Sequence, residues 1–178
     1  MAEATSTRQP TRQRRFRRRL FIGSLCVVAL VAVAVFDWYL RNEEMSQLLR
    51  AAARSEAAIV EGDRATREDG GYFGTAPEQE RLREVAYEAL VDVKTEGLAV
   101  RDVSIMPWHV ALRDAQMAYL DYSDAWSGLF EDIVGARYLD TASDIDPTFD
   151  AARRAFERAV PPLPRRRFAD RIDAQFAE

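Results

Sequence analysis

The sequence predicts an all-α protein: a single N-terminal transmembrane helix, then an antiparallel helical bundle of about four helices plus a short C-terminal helix. Three observations predict it. Apolar residues recur at steps of three and four along nearly all of the chain after residue 41. Glycine and proline punctuate the breaks between those runs. One uninterrupted apolar run follows directly on a cluster of arginines near the N-terminus.

Arg8, Arg12, Arg14, Arg15, Arg17, Arg18 and Arg19 precede Leu20, and no charged residue occurs from Leu20 to Phe36. A helix needs roughly 20 residues to cross the hydrocarbon core. Residues 20–40 supply that length if Asp37 reaches the far interface, where the rings of Trp38 and Tyr39 are at home. Residues 1–19 are therefore expected to form a disordered, arginine-rich cytoplasmic tail, residues 20–40 the span, and residues 41–178 an extracytoplasmic bundle. Ala32-Val33-Ala34 also fits the small-x-small pattern of a signal peptide cleaved after Ala34. Against cleavage, the apolar run exceeds the roughly 7–15 residues usual for such a peptide and continues as helix. Arg17-Arg18-Arg19-Leu20-Phe21 matches a twin-arginine export signal only loosely. Cys26 is the one cysteine; it lacks the upstream leucine of a lipoprotein box and permits no disulfide within the chain.

After the span, Met45, Leu48, Leu49, Ala52, Ile59 and Val60 continue a helical stripe, with an end expected between Gly62 and Gly70. Gly70-Gly71-Tyr72-Phe73-Gly74 reads as a loop. Thr75 and Glu78 have the spacing of a capping box, which opens a second helix with Leu82, Val85, Ala86, Ala89, Leu90 and Val93 on its apolar side and Gly97 as its stop. Leu98 to Met106 reads as a short strand or an extended connector. Pro107 is expected to open the strongest element, whose seam runs Trp108, Leu112, Ala115, Tyr119, Tyr122, Trp126, Leu129 and Ile133. Ala111, Ala118 and Ala125 run beside that seam, and Gly135 closes it. Asp146 and Pro147 suit the N-cap and first position of a fourth helix, with Phe149, Ala152, Phe156 and Val160 facing inward and Pro161 to Pro164 ending it. Phe168, Ile172 and Phe176 define the last short helix.

Composition narrows the function. The whole chain is −4 although its first 19 residues are strongly basic, so the remainder is acidic and nucleic acid is an unsuitable partner. One lysine against 24 arginines, with abundant alanine, reads as the product of a GC-rich bacterial genome. No phosphate loop, nucleophile elbow or dinucleotide fingerprint occurs, and the single histidine and cysteine rule out the common zinc motifs, so no cofactor or metal is expected. His109 reads as a helix-start histidine. Asp114, Asp121 and Asp124 fall on a solvated face, and Asp140, Asp144, Asp146 and Asp150 lack the glycine and terminal glutamate of a calcium loop. Tyr119, Tyr122 and Trp126 are core residues by spacing, but their polar atoms make them the candidate ligand-binding group if the bundle holds a pocket. Arg165, Arg166 and Arg167 oppose the dipole of the helix they begin; pairing within the acidic fold, a partner protein or anionic lipid would each answer that.

The functional expectation is a non-enzymatic, membrane-anchored protein-interaction or accessory module of the bacterial envelope with one envelope partner. The alternative is a sensor-like bundle that binds a small molecule near Tyr119, Tyr122 and Trp126.

Overall fold

Hydrophobic periodicity becomes five helices in a computed structural model that describes residues 10–68, 75–136, 143–161 and 165–176, with side chains from residue 23 onward except that of Arg165. They are α1 (Pro10–Glu68), α2 (Ala76–Arg101), α3 (Val110–Val134), α4 (Ile145–Ala159) and α5 (Arg165–Gln175), with no strand among the described residues. The chain divides into two compact units, residues 1–40 and 41–178.

In the first unit, α1 is helical from Pro10, so the arginine-rich stretch expected to be disordered is helical over residues 10–19; residues 1–9 lie outside the described residues. Residues 23–36 are exposed along their whole length, valine, leucine and phenylalanine included. This is the one helix among the described residues long and apolar enough to cross a membrane.

The second unit is a helical bundle in which neighbouring helices alternate in direction. Arg54 on α1 meets Glu96 on α2 at 3.2 Å, while Gly62, eight residues further along α1, faces Ala89, seven residues back along α2. Gln116 near the start of α3 donates to the Val100 carbonyl at 2.8 Å, and Lys94 Nζ bonds Glu131 Oε1 at 2.5 Å near the far end of α3. Met45, Leu48, Leu49, Ala52 and Ile59 from α1, Leu82, Ala86, Ala89, Leu90 and Val93 from α2, Leu112, Ala115, Tyr119, Phe130 and Ile133 from α3, and Ala152 and Phe156 from α4 form one core; Val85, placed on the α2 stripe from sequence, is outside it. Phe168, Ile172 and Phe176 bury α5 against it, with Phe176 within 5.5 Å of both Phe149 and Phe156 by ring centroids. Val60, placed on the buried stripe from sequence, is exposed.

Local chemistry fixes most element ends. The Thr75 amide donates to Glu78 Oε2 at 2.5 Å, as the capping-box spacing demands. Gly135 follows the last residue of α3, and Pro161 follows α4 closely. Gly97, expected to stop α2, lies inside it. The helix runs on to Arg101, and Gly97 serves as a close approach to α3, where a methyl group would meet Ser123 Oγ at 3.2 Å. Residues 103–106 are then the extended connector, without a strand. Helix α4 begins at Ile145 rather than after Asp146, which puts Asp146 and Pro147 inside the first turn. The loop around Gly70 to Gly74, Asp140, and the prolines at 162 and 164 lie outside the described residues.

Gly62 marks the tightest helix crossing. A Cβ there would lie 2.7 Å from Ala89 Cβ and 3.0 Å from Phe130 Cζ. Alanine is the better helix former by about 1 kcal/mol. The obstructing Ala89 carbon is fixed to its backbone, however, and overpacking of this kind costs roughly 1–3 kcal/mol. Gly62→Ala is therefore expected to lower stability by about 1 kcal/mol net in denaturant unfolding; an unchanged or raised midpoint would show that α1 and α2 separate without cost.

Candidate functional site

Two polar groups, one buried and one half-buried, interrupt the apolar packing of α1 against the connector and α3. Both arise because α1 places a glutamate on its inward stripe: Glu44 stands one turn before Leu48, and Glu56 one turn after Ala52. A charged residue on a buried stripe must find partners in the facing element.

Glu44 finds them in the α2–α3 connector. His109 Nδ1 lies 2.5 Å from Glu44 Oε2, with side chains only 4% and 8% exposed, and the Met106 amide donates to Oε1 at 3.0 Å. This capture explains why α3 starts at Val110 and not at Pro107. Residues 107 and 108 are a turn, the His109 amide bonds the Met106 carbonyl at 3.0 Å, and the backbone bends so that the imidazole reaches α1. Trp108 consequently leaves the predicted seam and is 62% exposed. His109 stands at the helix start as expected, but it is buried and bonded.

Glu56 is the centre of the second group. Tyr122 donates to its Oε1 at 3.1 Å, and the Tyr119 hydroxyl lies 2.8 Å from the Ala52 carbonyl and 3.3 Å from Glu56 Oε2. Burial pushes the Glu56 pKa above the ordinary 4.5, and the two phenol hydrogen bonds only partly oppose that. Burial, reinforced by the Glu56 charge, likewise raises both tyrosines above their ordinary 10.0, so they remain neutral donors. Ser55 Oγ and Trp126 Nε1 lie near enough to these hydroxyls to oppose that rise in small part, but neither makes a hydrogen bond of good geometry among the described residues.

Of the residues singled out from sequence, Tyr119, Tyr122 and Trp126 do come together. The first two are buried with centroids 5.7 Å apart, and Trp126 is half-buried beside Phe130. Asp114, Asp121 and Asp124 are exposed, whereas His109 is buried; Arg166 and Arg167 are exposed, and the side chain of Arg165 lies outside the described residues. Among the described residues no three histidine, cysteine or acidic side chains gather in a way that could hold a metal ion. Glu44 and Glu56 are the site residues that spacing did not single out. The signal for them is a glutamate standing where the apolar period of α1 calls for a hydrophobe.

The Glu56 pair of phenols makes a pH prediction. Because its carboxyl is harder to ionise folded than unfolded, the native state favours the protonated form. Its contribution is fully present below the unfolded pKa and is lost as pH rises through the higher folded value. Glu56→Gln, which stays neutral, is expected to gain stability relative to the parent as pH rises through that window in paired melting curves. A difference that stays flat from pH 4 to 8 would remove Glu56 as a titrating core group.

No protein-family profile matches this chain. Neither a curated protein nor a solved structure is significantly similar to it.

Proposed function

We propose that this chain is a single-pass membrane protein, N-terminus in the cytoplasm, whose bundle works outside the cytoplasm as a non-enzymatic interaction module of a bacterial envelope. The observation that carries this reading is the contrast along α1. Residues 23–36 expose an unbroken apolar surface, whereas the residues after 41 bury only one stripe. An exposed apolar surface of that length needs lipid, and seven arginines ahead of it favour retention of the N-terminus inside. The acidic bundle and its lack of recognised catalytic motifs favour a binding role.

Topology is tested with reporters fused after residue 178. A phosphatase active only outside the cytoplasm is expected to work, and a fluorescent protein that folds only inside is expected to stay dark; the reverse pattern overturns the orientation. A C-terminal blot distinguishes the anchor from a cleaved signal, because the intact chain is 20.2 kDa. Photo-crosslinking from native membranes, with a copy lacking residues 41–178 as control, tests the partner. A stoichiometric envelope protein lost with the truncation is expected.

One observation favours a second reading, a bundle that binds a small hydrogen-bonding molecule. Ser55 Oγ and Trp126 Nε1 are buried beside Glu56, Tyr119 and Tyr122 with hydrogen-bonding capacity left over. A thermal-shift screen of the full chain tests it: a stabilising compound whose effect vanishes in Glu56→Gln and Tyr122→Phe would favour this reading over the first.

A further inference from the structure

One end of the bundle collects elements that are far apart in sequence. Glu44 holds the α2–α3 connector through Met106 and His109. Arg41 donates to the Ala159 carbonyl at 3.2 Å, which brings the last turn of α4 to the same end. Helix α5 then runs back along α4, because Phe176 at its far end packs on Phe149 and Phe156. The first turn of α5, with Arg166 and Arg167, is therefore at the Arg41 end too. Arg41 directly follows Leu40, so this is the end of the bundle that the chain tethers to the apolar run.

The surface there has a particular character. Pro107 is exposed, Trp108 is 62% exposed and Val110 is 59% exposed, three apolar residues grouped at one turn, whereas the other exposed large hydrophobes of the bundle, Val60, Tyr87, Val91, Leu98 and Met117, stand along the sides of α1, α2 and α3. Arg158, Arg166 and Arg167 are exposed at the same end of the bundle, on a chain whose net charge is −4. Of the acidic side chains near them, Glu43 is paired with Arg50 at 3.5 Å and Glu157 with Arg153 at 3.3 Å, while Asp102 and Asp170, the latter one turn along α5 from Arg166 and Arg167, are exposed. Tryptophan settles at the headgroup level of a bilayer, where its ring is half in hydrocarbon and its N–H half in water. Guanidinium groups bind phosphate oxygens in a fork. An aromatic tip and exposed arginines at one end, the tethered end of an acidic domain, have the chemistry of a contact with phospholipid headgroups.

We infer that this end of the bundle docks on the membrane surface, with Trp108 and Val110 entering the headgroup layer and Arg166 and Arg167 holding lipid phosphates. This rests on the reading of residues 20–40 as a membrane span. The docking removes the unfavourable meeting of positive charge with the α5 N-terminus by placing anions there.

The test uses the full chain in nanodiscs of phosphatidylcholine and phosphatidylglycerol, labelled with a fluorophore at one cysteine at a time. The positions are the native Cys26, Val110→Cys with Cys26→Ser, and Tyr87→Cys with Cys26→Ser. Tyr87 is exposed and lies near Ala89, which faces Gly62, about 30 Å of helix beyond Arg41. Aqueous iodide and nitroxide-bearing lipids serve as quenchers. Cys26 is expected to be quenched by lipid nitroxide alone, Tyr87→Cys by iodide alone, and Val110→Cys by headgroup nitroxide, with iodide quenching at least about threefold weaker than at Tyr87→Cys. Adding Arg166→Glu and Arg167→Glu is expected to bring the Val110→Cys probe to the iodide sensitivity of Tyr87→Cys. If Cys26 is in lipid but the Val110→Cys probe is as open to iodide as Tyr87→Cys, the docking is overturned and the span stands. If Cys26 itself is open to iodide, the span fails and the docking with it. If Val110→Cys is shielded from iodide yet untouched by lipid nitroxide, a protein surface covers it and the lipid assignment is wrong.

Discussion

Glu44→Ala is expected to destabilise the bundle by about 3 kcal/mol, because it removes the buried carboxylate that both the His109 imidazole and the Met106 amide meet. The His109 imidazole loses its contact at 2.5 Å, and the Met106 amide loses an acceptor at 3.0 Å, both away from water. Chemical unfolding of the full chain in detergent, followed by circular dichroism, measures the loss. A double-mutant cycle separates the pair from general disruption. Glu44→Leu with His109→Leu is expected to recover much of what either single change loses, since an apolar pair of similar volume strands only the backbone amide. A loss below about 1 kcal/mol for Glu44→Ala would mean that water reaches the pair once the carboxylate is gone. It would also mean that the connector is held by packing of Val103 and Ile105 on the core instead.

Phe156→Ala is expected to be comparably severe, at about 4 kcal/mol, the range of large-to-small changes at a site unable to collapse. Phe156 is fully buried and touches rings on two other helices: Tyr119 at 6.2 Å, nearly perpendicular, and Phe176 at 5.5 Å. Its removal leaves a cavity against the last residue that pins α5. The expected signature beyond the lower midpoint is faster tryptic cleavage in the Arg165–Arg167 stretch under native conditions, because opening α5 alone then costs less. A loss of stability without faster cleavage there would show that Phe168 and Ile172 suffice to dock α5.

The helices and most of their inward faces were legible because each is a local property. The α3 seam from Leu112 to Ile133, the α5 triplet at four-residue steps, and the Thr75–Glu78 cap are all read within one or two turns of chain. What was not legible depends on residues distant in sequence, from 26 positions apart for Gly97 and Ser123 to 66 for Glu56 and Tyr122. Trp108 fits the seam perfectly by spacing, one turn before Leu112. Only the bond from Glu44 to His109, across 65 residues, bends the chain before the helix can include it. Gly97 has the local look of a stop, but its role is set by Ser123 on a neighbouring helix. The same holds for the candidate site. Tyr119, Tyr122 and Trp126 could be grouped from their spacing, whereas the carboxylate that organises the first two, Glu56, lies on another helix and is visible in sequence only as a charge out of place on an apolar stripe.

The ion pair between α2 and α3 has a practical bearing on any search for a partner. Lysine occurs once in the chain, at Lys94, and its ammonium is held by Glu131. A reagent that acylates side-chain amines thus has a single address on the folded bundle, on the outer edge of those two helices, and must compete with a carboxylate to react there. Capture through such chemistry samples the neighbourhood of that edge alone. Silence from it leaves the α4–α5 side and the Trp108 turn unsurveyed, and those faces are reached through their carboxylates or with light-activated side chains.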